Sequence, residues 1–350
     1  MNTISKWFHE TFTNPQILFL FLVLMGTATV ILTFGNMLAP VLASMVIAYL
    51  LEGLVVILVR TKIPRIISVI IVFISFLVFV SLILLVLLPL LSEQFSHLLQ
   101  RLPEFFSSGQ KALMRLPDKY PEVIAAHHIE KVMDIIKSEI TEFGQRIVSV
   151  SLASVTGVIT ILIYMVLMPL LVFFFLKDKN QIINWFLQYL PKDRGIASEV
   201  WLEVDDQIAN YVRGKFVEII IVGSASFICF SILELDYAEL LAALVGLSVI
   251  IPYIGATVVT LPVLLIAWFQ WGWGTDFGWL AGAYFVIQAL DGNVLVPLLF
   301  SEVVNLHPVA IIVSILLFGG VWGFWGVFFA IPLATLVQAI LKAWPRNKEA

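Results

Sequence analysis

The stretch IISVIIVFISFLVFVSLILLVLLPLL at 66–91 places 26 residues in a row without one charged side chain. Coiled as a helix at ~1.5 Å per residue it reaches ~39 Å, enough to cross a hydrocarbon layer of ~30 Å. It cannot be a strand of a membrane barrel, which alternates polar and apolar residues in segments of about ten. Working outward, uncharged tracts recur at 150–176, 240–275 and 303–341, the last two 36 and 39 residues long. Core helices of soluble proteins seldom exceed ~20 uncharged residues and seldom recur this way. Composition agrees: 61% of the 350 residues are hydrophobic, 13% are charged, and mean hydropathy is +1.02. A soluble domain draws about 25% of its residues from Asp, Glu, Lys and Arg, so this chain cannot cover itself in water. The fold class read from sequence is an all-α integral membrane protein with about eight transmembrane helices, some broken or re-entrant in the carboxyl-terminal half.

The expected spans lie near 17–35, 38–59, 66–91, 150–176, 212–233, 240–268, 277–300 and 306–341. The first two read as a tight hairpin turning at Gly35, Asn36 and Pro40. This divides the chain into a membrane region of three spans at 1–91, an extracytoplasmic amphipathic segment at 92–149 and a fourth span at 150–176. A cytoplasmic connector at 177–211, a membrane transport region at 212–341 and a tail at 342–350 follow. Met1 to Asn14, with Trp7, Phe8 and Phe12, reads as an interfacial segment, and no cleaved signal peptide is expected. In the excursion, Ile129, Val132, Ile136, Ile140, Phe143 and Ile147 recur at helical spacing, and Leu98, Leu99, Leu102, Phe105 and Phe106 form a shorter version.

Two tracts are too long for one crossing. A straight helix over 240–275 would be ~54 Å long. Pro252 and Pro262 interrupt it with Gly255 between them, and proline removes the amide that closes a helical turn. The last tract carries Gly319, Gly320, Gly323, Gly326 and Pro332. Broken backbone in a bilayer must be hidden in protein or line a polar cavity, so each tract is either a broken or re-entrant element or a span kinked only for packing.

Charge sets the expected sidedness. Arg60, Lys62 and Arg65 crowd one loop, Lys177 and Lys179 begin another, and Lys342, Arg346 and Lys348 close the chain. The short loop with Glu234, Asp236 and Glu239 has no basic residue. The excess of Lys and Arg in short cytoplasmic loops then puts both termini in the cytoplasm.

Enzyme chemistry finds little support. Cys229 is the sole cysteine and sits in an apolar run, so it reads as packing material. Apart from the His127–His128 pair, the histidines are dispersed. No HExxH, phosphate-loop or dinucleotide glycine pattern is present, no cofactor is expected, and a net charge of −4 leaves no nucleic-acid footprint.

The informative residues are those costly in lipid: Glu52, Glu218 and Asp291. A carboxylate at the bilayer centre costs several kcal/mol and normally faces a cavity or a partner. Asp291 has Gln288 three residues before it on the same helical face, with Asn293 and Pro297 close after. This cluster suits proton transfer, a cation at Asp291, a hydrogen-bonded solute, or a clasp between helices. Glu218 has Arg213 and Lys215 about one turn away, which fits a snorkelling pair at the cytoplasmic interface as well as a transport role. Glu52 lies near Arg60 at the same boundary.

Several motifs in order resemble the AI-2E transporter family across nearly the whole chain. They are Tyr211–Val212–Arg213–Gly214, IPYIGATVVTLP at 251–262, QALDGNVLVP at 288–297, Asn305–Leu306–His307–Pro308, and GGVWGFWGVFFAIP at 319–332. The chain departs from the family's usual form at Lys215, where Gln is common. The resemblance implies a multispanning transporter of a bacterial or archaeal cytoplasmic membrane that forms a homo-oligomer. Some members are associated with export of the signal autoinducer-2, others with sodium or lithium–proton antiport. It also implies a transport path in the carboxyl-terminal half, near Pro252, Gly255, Pro262, Pro297, His307, Pro308, Gly319, Gly320 and Pro332.

Two mechanisms are therefore expected. In one, a monovalent cation and a proton compete for carboxylate oxygen, at Asp291 first and Glu218 second. In the other, Gln288, Asp291, Asn293 and His307 hydrogen-bond a small polar solute at a discontinuous helix. A third reading, from another class, is an oligomeric membrane scaffold that moves nothing. The expected partners are thus a small solute or monovalent cation, protons, membrane lipid and further copies of the chain.

Overall fold

The computed structural model describes residues 15–113, 138, 155–189, 195–300 and 306–343. Met1 to Asn14, most of the excursion, His127, His128, Asn305 and the end of the tail lie outside them. Among the described residues every regular element is a helix. They are α1 (Pro15–Arg60), α2 (Arg65–Leu82), α3 (Leu88–Leu113), α4 (Val155–Lys177), α5 (Lys179–Leu187) and α6 (Gly195–Ile232). Then come α7 (Ala238–Ser248), α8 (Ile254–Trp271), α9 (Thr275–Leu290), α10 (Val296–Phe300), α11 (Pro308–Phe328) and α12 (Ala330–Ala343). π-helical turns over Ile83–Leu87 and Asp291–Leu295 carry α2 into α3 and α9 into α10.

Among the described residues six stretches are long and apolar enough to cross a membrane: Met37–Arg60, Arg65–Phe105, Val200–Ile232, Ile254–Trp271, Thr275–Phe300 and Pro308–Phe328. Shorter apolar helices are Ile163–Lys177, Ala238–Ser248 and Ala330–Leu341. Large apolar side chains stand outward along them, Leu85 at 77% and Ile232 and Leu298 at 75% exposure, as lipid-facing surface requires. The molecule is an all-α, multi-pass membrane protein.

Five expectations change. The hairpin expected between 17–35 and 38–59 is absent, because α1 runs unbroken for 46 residues with Pro40 inside it. A chain in lipid has no water to satisfy an opened backbone, so the helix persists through a residue that costs it one rung. Gly35 is there for contact instead: a Cβ on it would stand 2.9 Å from Nε1 of Trp322. Without a reversal in α1, the argument that placed the amino terminus on the side of the Arg60–Arg65 loop loses its basis. The third span also runs past 91, since α3 continues to Leu113.

The tract at 240–275 does not break at both prolines. Pro262 stays inside α8, and the break between α7 and α8 falls at 249–253, with Pro252 in it and Gly255 in the first turn of α8. Tyr253 there adopts φ 62°, Ile254 N–H reaches back to Pro252 O at 2.7 Å, and a Cβ on Gly255 would overlap Ser248 O. α7 is 11 residues, ~16 Å, too short to cross, and it packs against α8 as a helical hairpin.

The last tract breaks at Gly323 (φ 59°, ψ −136°), while Gly319 and Gly320 remain helical. A Cβ on Gly326 would overlap Phe318 O, although these two would be ~12 Å apart along a straight helix. The chain therefore doubles back, and α12 packs on α11. Pro332 falls in the first turn of α12, where no amide donor is needed.

The helices group into two compact units. Unit 1 takes Met1–Leu77, Tyr164–Glu218 and Gly292–Ala350; unit 2 takes Val78–Ile163 and Ile219–Asp291. One core of unit 1 joins α1, α2 and α4 through Leu51, Val55, Val69, Val72, Val172 and Leu176. Within unit 2, Gly223 of α6 meets Gly246 of α7 so closely that a Cβ on Gly246 would stand 3.0 Å from Gly223 Cα. Small residues at a helix crossing give the close backbone approach that drives association in lipid. α3 joins this group through the stack of Phe105 on Phe269, 4.8 Å between ring centres.

Candidate functional site

In unit 1 the site is built on α6. Tyr211, Gly214, Lys215 and Glu218 recur at helical spacing and share a face. Lys215 and Glu218 are 5% and 2% exposed and form an ion pair at 2.8 Å. Burial answers the choice left open by sequence: this lysine does not snorkel to water, it is enclosed with its carboxylate. Phe300, at the end of α10, closes over the pair, its ring centre 5.2 Å from Lys215 Nζ. Gly214 makes room for that ring, since a Cβ there would lie 2.6 Å from Phe300 Cε1.

Tyr211 packs beside the same ring, 5.8 Å between centres, and its hydroxyl donates to Phe328 O at 3.2 Å. The surrounding core is Val212, Ile311, Ile315, Ala330 and Ile331. Motifs scattered along the sequence thus meet here: the Tyr211–Gly214 element, the end of the 288–300 element, α11 and the start of α12. His307 is exposed, and its Nδ1 accepts from Val309 N–H at 3.2 Å with Pro308 beginning α11. In this structure it caps a helix.

Arg213 is exposed and lies against α1, its Cδ 3.2 Å from where a Cβ on Gly53 would stand. Glu52 is held by Arg65, not by Arg60 as sequence proximity implied. Arg65 Nη2 donates to both its oxygens at 3.0 and 3.2 Å and to Leu176 O, and Lys179 stands 3.8 Å away. Two positive charges around one carboxylate, at the junction of α1, α2, α4 and α5, make Glu52 a staple of the helix ends.

In unit 2 the site is built on α8 and α9. Gln288 Nε2 donates to the Tyr284 hydroxyl at 3.0 Å, which pairs with Thr260 Oγ1 at 2.9 Å, and Thr260 donates to Ala256 O at 2.7 Å. Since the threonine proton is committed to Ala256, Tyr284 must donate to Thr260, and the chain runs one way from Gln288 to the α8 backbone. Tyr284 is wholly buried. The carbonyl oxygen and second amide hydrogen of Gln288 take no partner among the described residues.

Asp291 opens the π turn, its N–H shared between Gln288 O and Ile287 O, and its Oδ1 is buried. Asn293 is exposed and belongs to unit 1, as does Pro297 in α10. Among the described residues no three His, Cys, Asp or Glu side chains gather as a metal cluster.

Sequence reading found Lys215, Glu218, Gln288 and Asp291 but not Phe300, Tyr284 or Thr260. Tyr284 was within reach of it, one turn before Gln288. Phe300 carried no signal, and Thr260 lay within the motif at 251–262 without being singled out, because only tertiary packing pairs them with the site.

The model of the family described as AI-2E family transporter matches residues 18–346. The chain is 45% identical over 350 residues to a protein of Escherichia coli (strain K12) named as a candidate permease, PerM, covering 100% of this chain and 99% of that one. It is 26% identical over 340 residues to YueF of Bacillus subtilis (strain 168), named as a candidate transport protein, covering 94% and 91%. A second such protein of that bacterium, YrrI, is 24% identical over 306 residues, covering 86% and 85%. The family match spans both polar sites and both broken tracts, and this chain belongs to the AI-2E transporter family.

Proposed function

We propose that this chain is a secondary transporter that exchanges sodium or lithium for protons, with the carboxylate of Asp291 as the group for which ion and proton compete. The observation that carries this reading is the position of Asp291: a partly buried carboxylate at the first residue of a π turn within the candidate span Thr275–Phe300. A π turn displaces the regular hydrogen-bond ladder, and such turns recur at functional sites. A carboxylate kept in a low-dielectric setting changes charge and hydrogen-bond pattern together when it takes a proton, which is what coupling needs. Glu218 is the second titratable candidate, already neutralised by Lys215. The setting is a bacterial or archaeal cytoplasmic membrane, with the Arg60–Arg65 loop facing the cytoplasm and several copies assembling.

A second reading, export of a small polar solute such as autoinducer-2, is favoured by Gln288, which retains donor and acceptor capacity at the end of its chain. Proteoliposomes separate the two. With a pH-sensitive dye inside, Asp291→Asn is expected to abolish sodium-driven proton flux while the protein elutes as wild type in size-exclusion chromatography. Unchanged flux in that variant would sink the antiport reading. If no gradient moves any ion or metabolite in the wild type, the scaffold reading stands.

A further inference from the structure

Unit 2 holds a cavity of about 360 Å³ between the end of α6, the end of α8 and the start of α9. Glu234, Asp276, Trp271 and Trp279 line it together with Leu233 and Gln270. Among the described residues no lysine, arginine or histidine contributes to it. Arg101, which reaches this end of the unit, is committed to Asp236 at 3.1 Å. Neither the Glu234 nor the Asp276 carboxylate has a hydrogen-bond or ion-pair partner among the described residues. Gln270 fixes the mouth: its Nε2 donates to Glu234 O at 2.8 Å and its Oε1 accepts from Asp236 N–H at 2.8 Å, which holds Glu234 in its turn at φ 56°.

Each feature alone has an ordinary account. An aspartate in the first turn of α9 suits the helix dipole, and tryptophans gather at membrane interfaces. Neither account explains two acidic residues and two tryptophans around one cavity with no basic residue in its lining among the described residues. Indole is the strongest cation–π partner, and it selects weakly hydrated organic ammonium over a small hard ion, which would hold its water. A volume of this order matches small-ligand sites.

We infer that this cavity binds an organic ammonium ion, with Glu234 and Asp276 supplying charge and Trp271 and Trp279 the aromatic wall. The ammonium could arrive on a soluble amine or on the headgroup of a lipid, and the shared chemistry is what the cavity recognises. The site is separate from Asp291, and its test does not depend on transport.

The full chain in dodecyl maltoside would be titrated with tetramethylammonium chloride by isothermal calorimetry, against sodium chloride at equal ionic strength. Saturable binding is expected for the organic cation alone, weakened roughly tenfold by Trp279→Ala or Asp276→Asn and retained in Asp276→Glu. Both substituted side chains are exposed, so the variants should fold; wild-type elution would verify this. Repeating the titration with added phosphatidylethanolamine or phosphatidylglycerol identifies the source. Competition by the first alone assigns a lipid headgroup, and no competition by either assigns a soluble amine. Heat that is equal for sodium and tetramethylammonium, or affinity unchanged in both Trp279→Ala and Asp276→Asn, would overturn the inference.

Discussion

Unit 1 encloses an ion pair, Lys215 and Glu218 at 2.8 Å beneath Phe300, whereas unit 2 encloses a neutral relay from Gln288 through Tyr284 to Thr260. The difference bears on what each arrangement can tolerate. A buried ion pair cancels the large desolvation cost of its members only while both are present. A neutral chain degrades by single hydrogen bonds. Unit 1 is therefore close to all-or-none under substitution, and unit 2 should respond in small steps.

Lys215→Met is the most severe way to test this contrast. It leaves the Glu218 carboxylate without its counter-charge in a site 2% exposed, which should cost ~3–5 kcal/mol and lower the unfolding midpoint in detergent steeply. The double variant Lys215→Met with Glu218→Leu removes both charges and should recover most of the loss. A single variant as stable as wild type would show that the pair does not compensate itself, and the contrast would fail.

Glycine contacts probe the two units by packing alone. Gly255→Ala in unit 2 drives a methyl into the backbone carbonyl of Ser248, which cannot swing away. Gly214→Ala in unit 1 meets the ring of Phe300, which can turn. Overpacking costs ~1–3 kcal/mol, so Gly255→Ala should fall at or above the top of that range and Gly214→Ala near the bottom. Thermal melts of the two variants side by side give the ranking, and the reverse order would place the stiffer contact in unit 1.

These positions also mark what the sequence could and could not disclose. Uncharged length alone identified a helical membrane protein, because no other structure satisfies the backbone in lipid. Proline and glycine were less informative about where a helix stops. Pro40 and Pro262 lie inside unbroken helices, while the reversals fall at Tyr253 and Gly323, where the backbone takes positive φ. A helix with no water around it keeps its hydrogen bonds past a proline, so the residue type marks a cost and not an end. Among candidate site residues, local pairs such as Lys215 with Glu218 were legible from their spacing. The lid over them, Phe300, and the acceptor of Tyr284, Thr260, were not, since periodicity within one helix says nothing about which neighbour it meets. Glu52 shows the same limit: Arg60 is nearer along the chain, yet Arg65 makes the bond.

The smallest expected effect lies in the neutral relay. Tyr284→Phe keeps the ring, which packs 6.1 Å from Phe230, and removes only the hydroxyl between Gln288 and Thr260. Losing one such group should cost ~1 kcal/mol, well below the charged substitution in unit 1. Because Thr260 accepts from the same hydroxyl, Thr260→Val removes part of the same bond set. The double variant should then lose less than the two singles added together, by ~0.5–1 kcal/mol. Strict additivity in that cycle would mean that the hydroxyls act independently, and the relay that sets unit 2 apart from the ion pair would not exist as a coupled chain.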